Sequence, residues 1–485
     1  MITPLCRLRC PQWRLQARNN LSLYARTFSD VRRPSSAPKP IIDIKHIRQN
    51  QALYEQTCLE RNYRRQAAHP ARIVQLHAEW QQLQKDARAL RERSNLLRKE
   101  LANSATSSDD EDLKDVKKMS RERVQEEARA LKSELAVIEK KEADAVAQME
   151  ELALELPNLT SADTPRGDEP EVLSYINEPP RFDEQGSDAL WRSHVHIGAE
   201  LGILDFAGAA TASGWGWYYL VGEAAQLEQA LIQYALAVPR DQNGEQQVYA
   251  IARSQADADR GVPELCLAGT SEIPLAGMKA MATLDAVDLP MKRVAVSRCY
   301  RAEAGARGAE TKGLYRVHEF SKVEMFAWTQ PDELEARDVF DEMLDMQTEI
   351  LSSLGLYCRV LSMPSTDLGA SATRKIDMEA WFPSREHHSG GWGEVTSASL
   401  CTDYQTRRLA TRLKTSGGKL GFPWTANGTA LAVPRVLAAL LENGWDEEEG
   451  TVAIPECLRP WMGGRERIGP SARRRKDGNA GEMMA

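Results

Sequence analysis

Apolar residues mark two long stripes in the first third of the chain. Leu76, Trp80, Leu83, Ala87, Leu90, Ser94, Leu97 and Leu101 recur at alternating steps of four and three. After the polar break `NSATSSDDED` the rhythm returns at Val124, Ala128, Leu131, Leu135, Ile138, Glu142, Ala145, Met149, Leu152 and Leu156. Such a stripe buries one seam per helix, so each helix needs a partner. A short polar connection makes the two antiparallel neighbours. About 30 residues per helix at ~1.5 Å each predict a coiled-coil arm of roughly 45 Å. Pro157 stops the second helix, and the Pro-, Gly- and Asp-rich connector after it puts a domain boundary near residue 160.

Beyond the boundary the pattern turns to strands. `RCYRAEAGARGAETKGLYRVHEFSKVEMF`, residues 298–326, reads as strand, polar loop, strand. Side chains alternate faces along a strand. Arg301 and Glu303 therefore share one face of the first strand. In the second, Arg316, His318, Phe320, Lys322 and Glu324 share a face, and Tyr315, Val317, Val323 and Met325 form the core side. A charged strand face is usually a solvated one. A lone Phe among charges fits another reading, the floor of a pocket for something both charged and flat.

Three further stretches carry chemistry. `LCLAGTSEIPLAGM` puts Thr270 and Glu272 two residues apart, on one face. `WGEVTSASLCTDYQTRR` is β-prone, with Glu394, Thr396 and Ala398 on one face and Val395, Ser397 and Ser399 on the other. `NGTALAVPRVLAALLENG` opens as a Gly-containing loop and runs into an apolar helix ending at Gly444. Pro434 suits that helix's first turn, which sets Arg435 at the helix N-terminus. A cation there gains nothing from the helix dipole and makes sense with a bound anion such as a phosphate.

The bulk numbers exclude several classes. A net charge of −8 over 485 residues leaves room only for a local basic surface, not for a basic nucleic-acid binder overall. The arm offers such a surface. Residues 85–101 hold six Lys/Arg against three Asp/Glu and residues 113–132 seven against four, whereas 133–156 hold two against seven. Basic flanks near the tip can lie along a phosphate backbone; a dimerisation or spacer coiled coil is the alternative for the arm alone. No apolar run approaches a membrane span. The eight cysteines form no CxxC pair, which argues for a reducing compartment and against a zinc knuckle. His387 and His388 lack companion ligands. The first 29 residues contain five Arg and no Asp or Glu, the composition of a mitochondrial transit peptide; a disordered basic arm is the alternative. `HIGA` at His196 and `KMSR` at Lys118 echo class I synthetase signatures, but in reversed order and with `KMSR` inside the arm, so neither is retained.

With these residues in view, the chain resembles the seryl-tRNA synthetase family of class II aminoacyl-tRNA synthetases, bacterial and mitochondrial type. Residues 298–326 resemble motif 2, `NGTALAVPRVLAALLEN` motif 3 and `AGTSEIPL` the family's TxE element. The arm followed by `LPN` resembles the family's N-terminal domain. The resemblance covers about residues 42–463 and implies an α+β fold: an N-terminal antiparallel coiled-coil arm, then a class II antiparallel sheet flanked by helices. It implies a transit peptide and linker over 1–40, a tRNA-binding arm over 41–160, a catalytic domain over 161–463 and a disordered tail over 464–485. It implies that Arg301 grips the α-phosphate of ATP, Glu303 meets the adenine amino group, Phe320 stacks under the ring and Arg435 clamps the γ-phosphate. Glu394 would hold Mg²⁺ and Ser397 the nucleotide. Thr270, Glu272, Glu324 and Thr429 would surround serine.

The implied reaction joins serine and ATP as seryl-adenylate, then transfers the seryl group to the 3′ end of tRNA(Ser), in the mitochondrial matrix. Serine is expected over other amino acids because fewer than about 45 residues after motif 3 are too few for the C-terminal anticodon domain of the threonyl, prolyl, histidyl and glycyl relatives. The sequence departs from the family twice. Leu400 stands where relatives carry Asn, near the serine site. After `EAAQLEQALIQYALA`, the strand and proline of motif 1 are absent; only `QQVYAIA` offers a strand, so an uncovered sheet edge and a weakened homodimer are expected. A synthetase-like paralogue without aminoacylation activity, or an incomplete gene model, is the rival reading; serine-dependent ATP–pyrophosphate exchange separates them.

Overall fold

The computed structural model describes residues 38–102, 120–179, 192–237, 249–251, 254–255, 259, 265–302, 313–385, 389–415 and 417–469. The stretch read as a transit peptide, the arm's connecting loop, Glu303, the His387–His388 pair and residues 470–485 lie outside them.

Helices α1 (His69–Ala102) and α2 (Arg121–Leu154) form the arm. Each has 34 residues, which at ~1.5 Å per residue gives about 51 Å. Their heptad positions supply the buried seam, including Leu76, Ala87 and Leu97 against Val124, Leu131 and Met149. The pair is antiparallel: Leu97 packs with Val124 and Leu131 at the far end, and Leu76 with Met149 and Ala153 at the base. The polar seam position Glu142 is satisfied by Arg91 at 3.0 Å. Two short helices, Ile44–Gln49 and Gln51–Glu60, complete the base.

The connector near residue 160 is bonded to the body on both sides. The buried Arg61 guanidinium donates to the carbonyls of Asn158 and Gly369. Asn158 Nδ2 donates to the carbonyls of Ser371 and Cys401, each at 2.8 Å.

The body is a seven-stranded antiparallel sheet: β1 (Glu171–Ile176), β2 (Met291–Tyr300), β3 (Glu319–Thr329), β4 (Cys358–Ser362), β5 (Arg374–Trp381), β6 (Trp392–Thr402) and β7 (Trp424–Ala432), in the order β1-β4-β5-β6-β7-β3-β2. One main core joins sheet residues such as Val323, Met325, Val395 and Ala398 to the helices α4 (Glu223–Ala237), α6 (Glu333–Ser353) and α7 (Val433–Asn443). Two shorter helices, α3 (His194–Glu200) and α5 (Glu272–Met278), flank the sheet nearer the site.

Several expectations change. The second strand of the hairpin begins only at Glu319, so Arg316 and His318 precede it, after a tight turn at Gly313–Tyr315. Strand β3 is buried on both faces rather than half-solvated. The `NGTALA` segment is not a loop but part of β7, in mid-sheet. Gly428 belongs there for space: a Cβ would approach Ala398 Cβ to 3.2 Å and Gln347 Nε2 to 3.3 Å. Residues Arg467–Ile468, assigned to a disordered tail, pair with Thr451–Ala453 as a strand.

Most of the region expected to lack motif 1, including residues 238–248, lies outside the described residues. Helix α4 is described as far as Ala237, and within `QQVYAIA` the described strand is Tyr249–Ile251, paired with Leu265–Leu267 away from the main sheet. Strand β2 is an edge with no partner beyond β3 among the described residues.

Candidate active site

The face of the sheet opposite the main core carries the pocket. Phe320 and Lys322 line it from β3, and Glu324, next on the same face of the strand, is bonded to the lining residues Lys322 and Thr429; all three are buried. Arg301 follows the end of β2, with its backbone amide donating to the His318 carbonyl at 2.9 Å. Its guanidinium lies 5.2 Å from the Phe320 ring centroid. An aromatic and a cation thus face the same space, as the lone Phe among charges suggested.

At one end of the pocket lies a polar cluster. Glu324 is 2 % exposed. Its Oε2 accepts from Thr270 Oγ1 at 3.3 Å and pairs with Lys322 Nζ at 2.7 Å; its Oε1 accepts from Thr429 Oγ1 at 3.4 Å. Lys322 also donates to Thr270 Oγ1 at 3.0 Å. Three strand and loop segments therefore converge on one carboxylate. Glu272, at the first turn of α5, is held separately, by Gln405 and by Asn427 Nδ2 at 3.3 Å.

At the other end, Arg435 sits in the first turn of α7, after Pro434, as expected. Its Nη1 donates to Glu394 Oε2 at 3.0 Å and its Nε to the Tyr315 carbonyl at 3.3 Å. Burial pushes the Glu394 carboxyl up, but Arg435, then Lys375, outweigh it and hold it at about 2. Next to it on β5, burial lifts Asp377 to about 7 against the opposing pull of Lys375, 2.8 Å away.

Strict alternation had put Glu394 and Ser397 on opposite faces, and the structure corrects this. The β5–β6 register shifts, so that Met378 pairs with Thr396 but Glu379 with Glu394. Val395 is the extra residue of a β-bulge. It turns into the core with Ala398, and Glu394 and Ser397 both line the pocket. Leu400, which stands where relatives carry Asn, is buried in the main core.

Two functional residues were missed. Lys322 was placed on the pocket face without a role. Gln347, on α6, lies with Nε2 2.9 Å from both Thr396 Oγ1 and the Ser397 carbonyl and 2.8 Å from the Thr429 carbonyl. It ties the pocket strands β6 and β7 together from behind. Its signal was present: a lone polar residue in the buried stripe Val339, Met343, Gln347, Ile350.

An ionised carboxylate in a pocket also lined by Ser397 and by three arginines, Arg301, Arg316 and Arg435, suits Mg²⁺ arriving with a triphosphate. Mg²⁺ usually takes one or two carboxylates plus phosphate oxygens. Glu394, with its side chain 41 % exposed, can supply one such ligand. No group of three or more His, Cys, Asp or Glu among the described residues could hold a metal by itself.

Comparison with known proteins decides the family. Residues 41–160 match the family model described as "Seryl-tRNA synthetase N-terminal domain", and residues 249–444 match "tRNA synthetase class II core domain (G, H, P, S and T)". The serine--tRNA ligase of Rubrobacter xylanophilus is 36 % identical over 462 residues, covering 89 % of this chain and all of that relative. The chain belongs to the seryl-tRNA synthetase family. The mitochondrial serine--tRNA ligase of Saccharomyces cerevisiae is 42 % identical over 342 residues, 64 % of this chain and 72 % of that relative. Among solved structures, the seryl-tRNA synthetase from Pyrococcus horikoshii complexed with ATP superposes with a TM-score of 0.75 at 30 % identity, covering 89 % of this chain and 100 % of that one. The family accounts for the α+β architecture that the resemblance implied, an arm, which the heptads also predicted, plus an antiparallel sheet.

Proposed function

We infer that the chain is a serine--tRNA ligase, which activates serine with ATP and esterifies the terminal ribose of tRNA(Ser). The observation that carries this is one pocket with two ends: a phosphate-seeking pair, Arg301 and Arg435, and a buried hydroxyl-and-carboxylate cluster at Glu324. The full-length similarity to serine--tRNA ligases supports it.

In this reading the serine ammonium and side-chain hydroxyl face Glu324, Thr270, Thr429 and Glu272. Lys322 balances the charge of Glu324 so that the acceptor stays buried at little cost. A pocket built to bond a hydroxyl rejects amino acids that lack it. Adenine slides over Phe320, displacing Arg301 onto the α-phosphate, and Glu303 meets the adenine amino group. The serine carboxylate oxygen attacks the α-phosphorus; the bond to the bridging oxygen breaks and pyrophosphate leaves. Arg301 neutralises the reacting phosphoryl group and Arg435 the departing one, with bidentate geometry suited to phosphate. Such in-line transfer needs positioning and charge more than a base. Mg²⁺, when bound with ATP, supplies further positive charge near Glu394 and Ser397.

The basic flanks of the arm carry the tRNA backbone contacts, and a homodimer completes the site as the family resemblance implies. The Arg-rich, acid-free N-terminus directs the chain to the mitochondrial matrix; import of the full chain into isolated mitochondria with removal of that segment tests this. The function itself is tested by pyrophosphate exchange. Serine must support it, and alanine, glycine and threonine must not. Exchange that needs no serine, or none with any amino acid, would favour a paralogue that only binds nucleotide.

A further inference from the structure

We propose that His194 is a positioning residue for the ATP site, acting with Glu442 to fix the turn that holds Arg435; this rests on the ligase reading above. Both side chains are buried and neither touches the pocket's reacting groups. His194 Nδ1 lies 2.7 Å from Glu442 Oε1, which also accepts the His194 backbone amide at 3.0 Å. Glu442 Oε2 accepts the Ser384 amide at 3.2 Å. On the other side of the ring, His194 Nε2 accepts the Leu314 amide at 3.0 Å. An imidazole that accepts at Nε2 carries its proton on Nδ1, so the ring is neutral and its orientation is fixed from both ends.

The Leu314 amide belongs to the turn Gly313–Tyr315. Gly313 has φ +74°, and a Cβ there would stand 2.1 Å from His194 Nε2, so the turn lies flush against the ring. Tyr315 leaves the same turn. Its carbonyl accepts from Arg435 Nε, and its ring centroid lies 4.1 Å from the Arg385 guanidinium and 4.8 Å from that of Arg435. Glu442 and Arg435 are seven residues apart on α7, two helical turns, and so share a face. The helix thus grips one turn at two points: directly through Arg435 and, at its far end, through Glu442 and His194. Losing the imidazole leaves the Leu314 N–H buried and unpartnered and takes from Glu442 its ring hydrogen bond, leaving it the two backbone amides, and the Tyr315 carbonyl that orients Arg435 loses its anchor.

The test is equilibrium binding of ATP and of serine to the full chain, with pyrophosphate exchange alongside. His194→Ala should weaken ATP about tenfold and leave serine affinity within twofold. In an Arg435→Ala background the same substitution should change ATP affinity less than twofold, because the group it positions is gone. His194→Gln, which keeps volume and one of the two hydrogen bonds, should fall between wild type and His194→Ala. Equal losses for ATP and serine, or a full tenfold loss persisting in the Arg435→Ala background, would overturn the proposal. So would failure of both His194 variants to fold, which would make the dyad purely architectural. Absence of serine-dependent exchange in the wild-type chain would instead remove the ligase reading, a different outcome from any of these.

Discussion

Lys322 Nζ stands 2.7 Å from Glu324 Oε2, two residues along the same strand, with both side chains buried. Removing one partner of a buried pair leaves an uncompensated charge, at a cost of about 3–5 kcal/mol. Lys322→Met should therefore lower unfolding stability by roughly that amount and raise the KM for serine well above that for ATP. Urea denaturation gives the first quantity and exchange kinetics the second. A loss below about 1 kcal/mol would mean that the pair is solvent-relaxed and not part of the serine cluster.

Arg301→Ala should abolish adenylate formation and leave the fold intact. Its guanidinium hovers 5.2 Å from the Phe320 ring, and its polar contact there, from Nε to the Gly269 carbonyl at 3.4 Å, is long. Little of the fold depends on it, whereas a charge-assisted contact to a reacting phosphate contributes at least about 3 kcal/mol to the transition state. Thermal melting should be unchanged within error while exchange falls more than a hundredfold. Near-normal exchange would end the assignment.

Glu442 gives a pH prediction. Burial pushes its carboxyl up, but the hydrogen bonds from the His194 ring and backbone, with that from Ser384, pull it below the usual carboxylate range. A carboxyl with a depressed folded pKa stabilises the fold above its unfolded value, about 4.3, and that contribution fades as pH falls through the lower folded value. Glu442→Gln should therefore cost stability at pH 7, and the deficit should shrink towards pH 3. Urea midpoints for both chains at pH 7, 5, 4 and 3 measure it. A deficit independent of pH would show that the side chain's shape, not its charge, matters.

What could be read in the sequence was what depends on local period. The heptads gave the arm, and Pro434 before Arg435 gave a helix start with a cation on it. What could not be read was parity. One extra residue at Val395 moves Glu394 to the face of Ser397, and no alternation rule reveals where a strand bulges. Long-range partners were equally hidden: Gln347 reaches β6 and β7 across 49 and 82 residues, and Glu442 meets His194 across 248. Polar residues in apolar stripes mark such sites, but not which strand they will join.

The arm can be tested apart from the site. Its base shares a core with the short N-terminal helices through Ile73, Leu76, Met149 and Ala153, so these must stay. A chain lacking residues 84–141, closed by a short Gly-Ser link, should activate serine normally and charge tRNA at least a hundredfold more slowly. Charging by the intact chain should also weaken with added salt more than activation does, since phosphate contacts release counterions. Equal loss of both activities would make the arm a scaffold for the catalytic body.

The edge of the sheet yields the last prediction. Strand β2 pairs with β3 over ten register positions, from Met291–Trp328 to Tyr300–Glu319, and shows no partner on its other side among the described residues. Val296, midway along it, is 39 % exposed. An open edge with exposed apolar side chains invites wrong pairing. In the family resemblance, the motif 1 strand and its proline follow the helix that here is α4, and build the dimer interface. Here the sequence between α4, described as far as Ala237, and Tyr249 offers no such strand, and the next described strand, Tyr249–Ile251, belongs to a separate two-stranded ribbon. The 485-residue polypeptide should therefore dimerise weakly and charge tRNA slowly, although its pocket residues are in place. Sedimentation across a concentration series should show monomer at micromolar protein. An apolar strand ending in proline, inserted between residues 237 and 249, should shift the chain to a stable dimer and raise charging. Sequencing the transcript should reveal an in-frame segment of that kind at the same point. A stable, fully active dimer of the uninserted chain would show that β2 and the ribbon build the interface unaided.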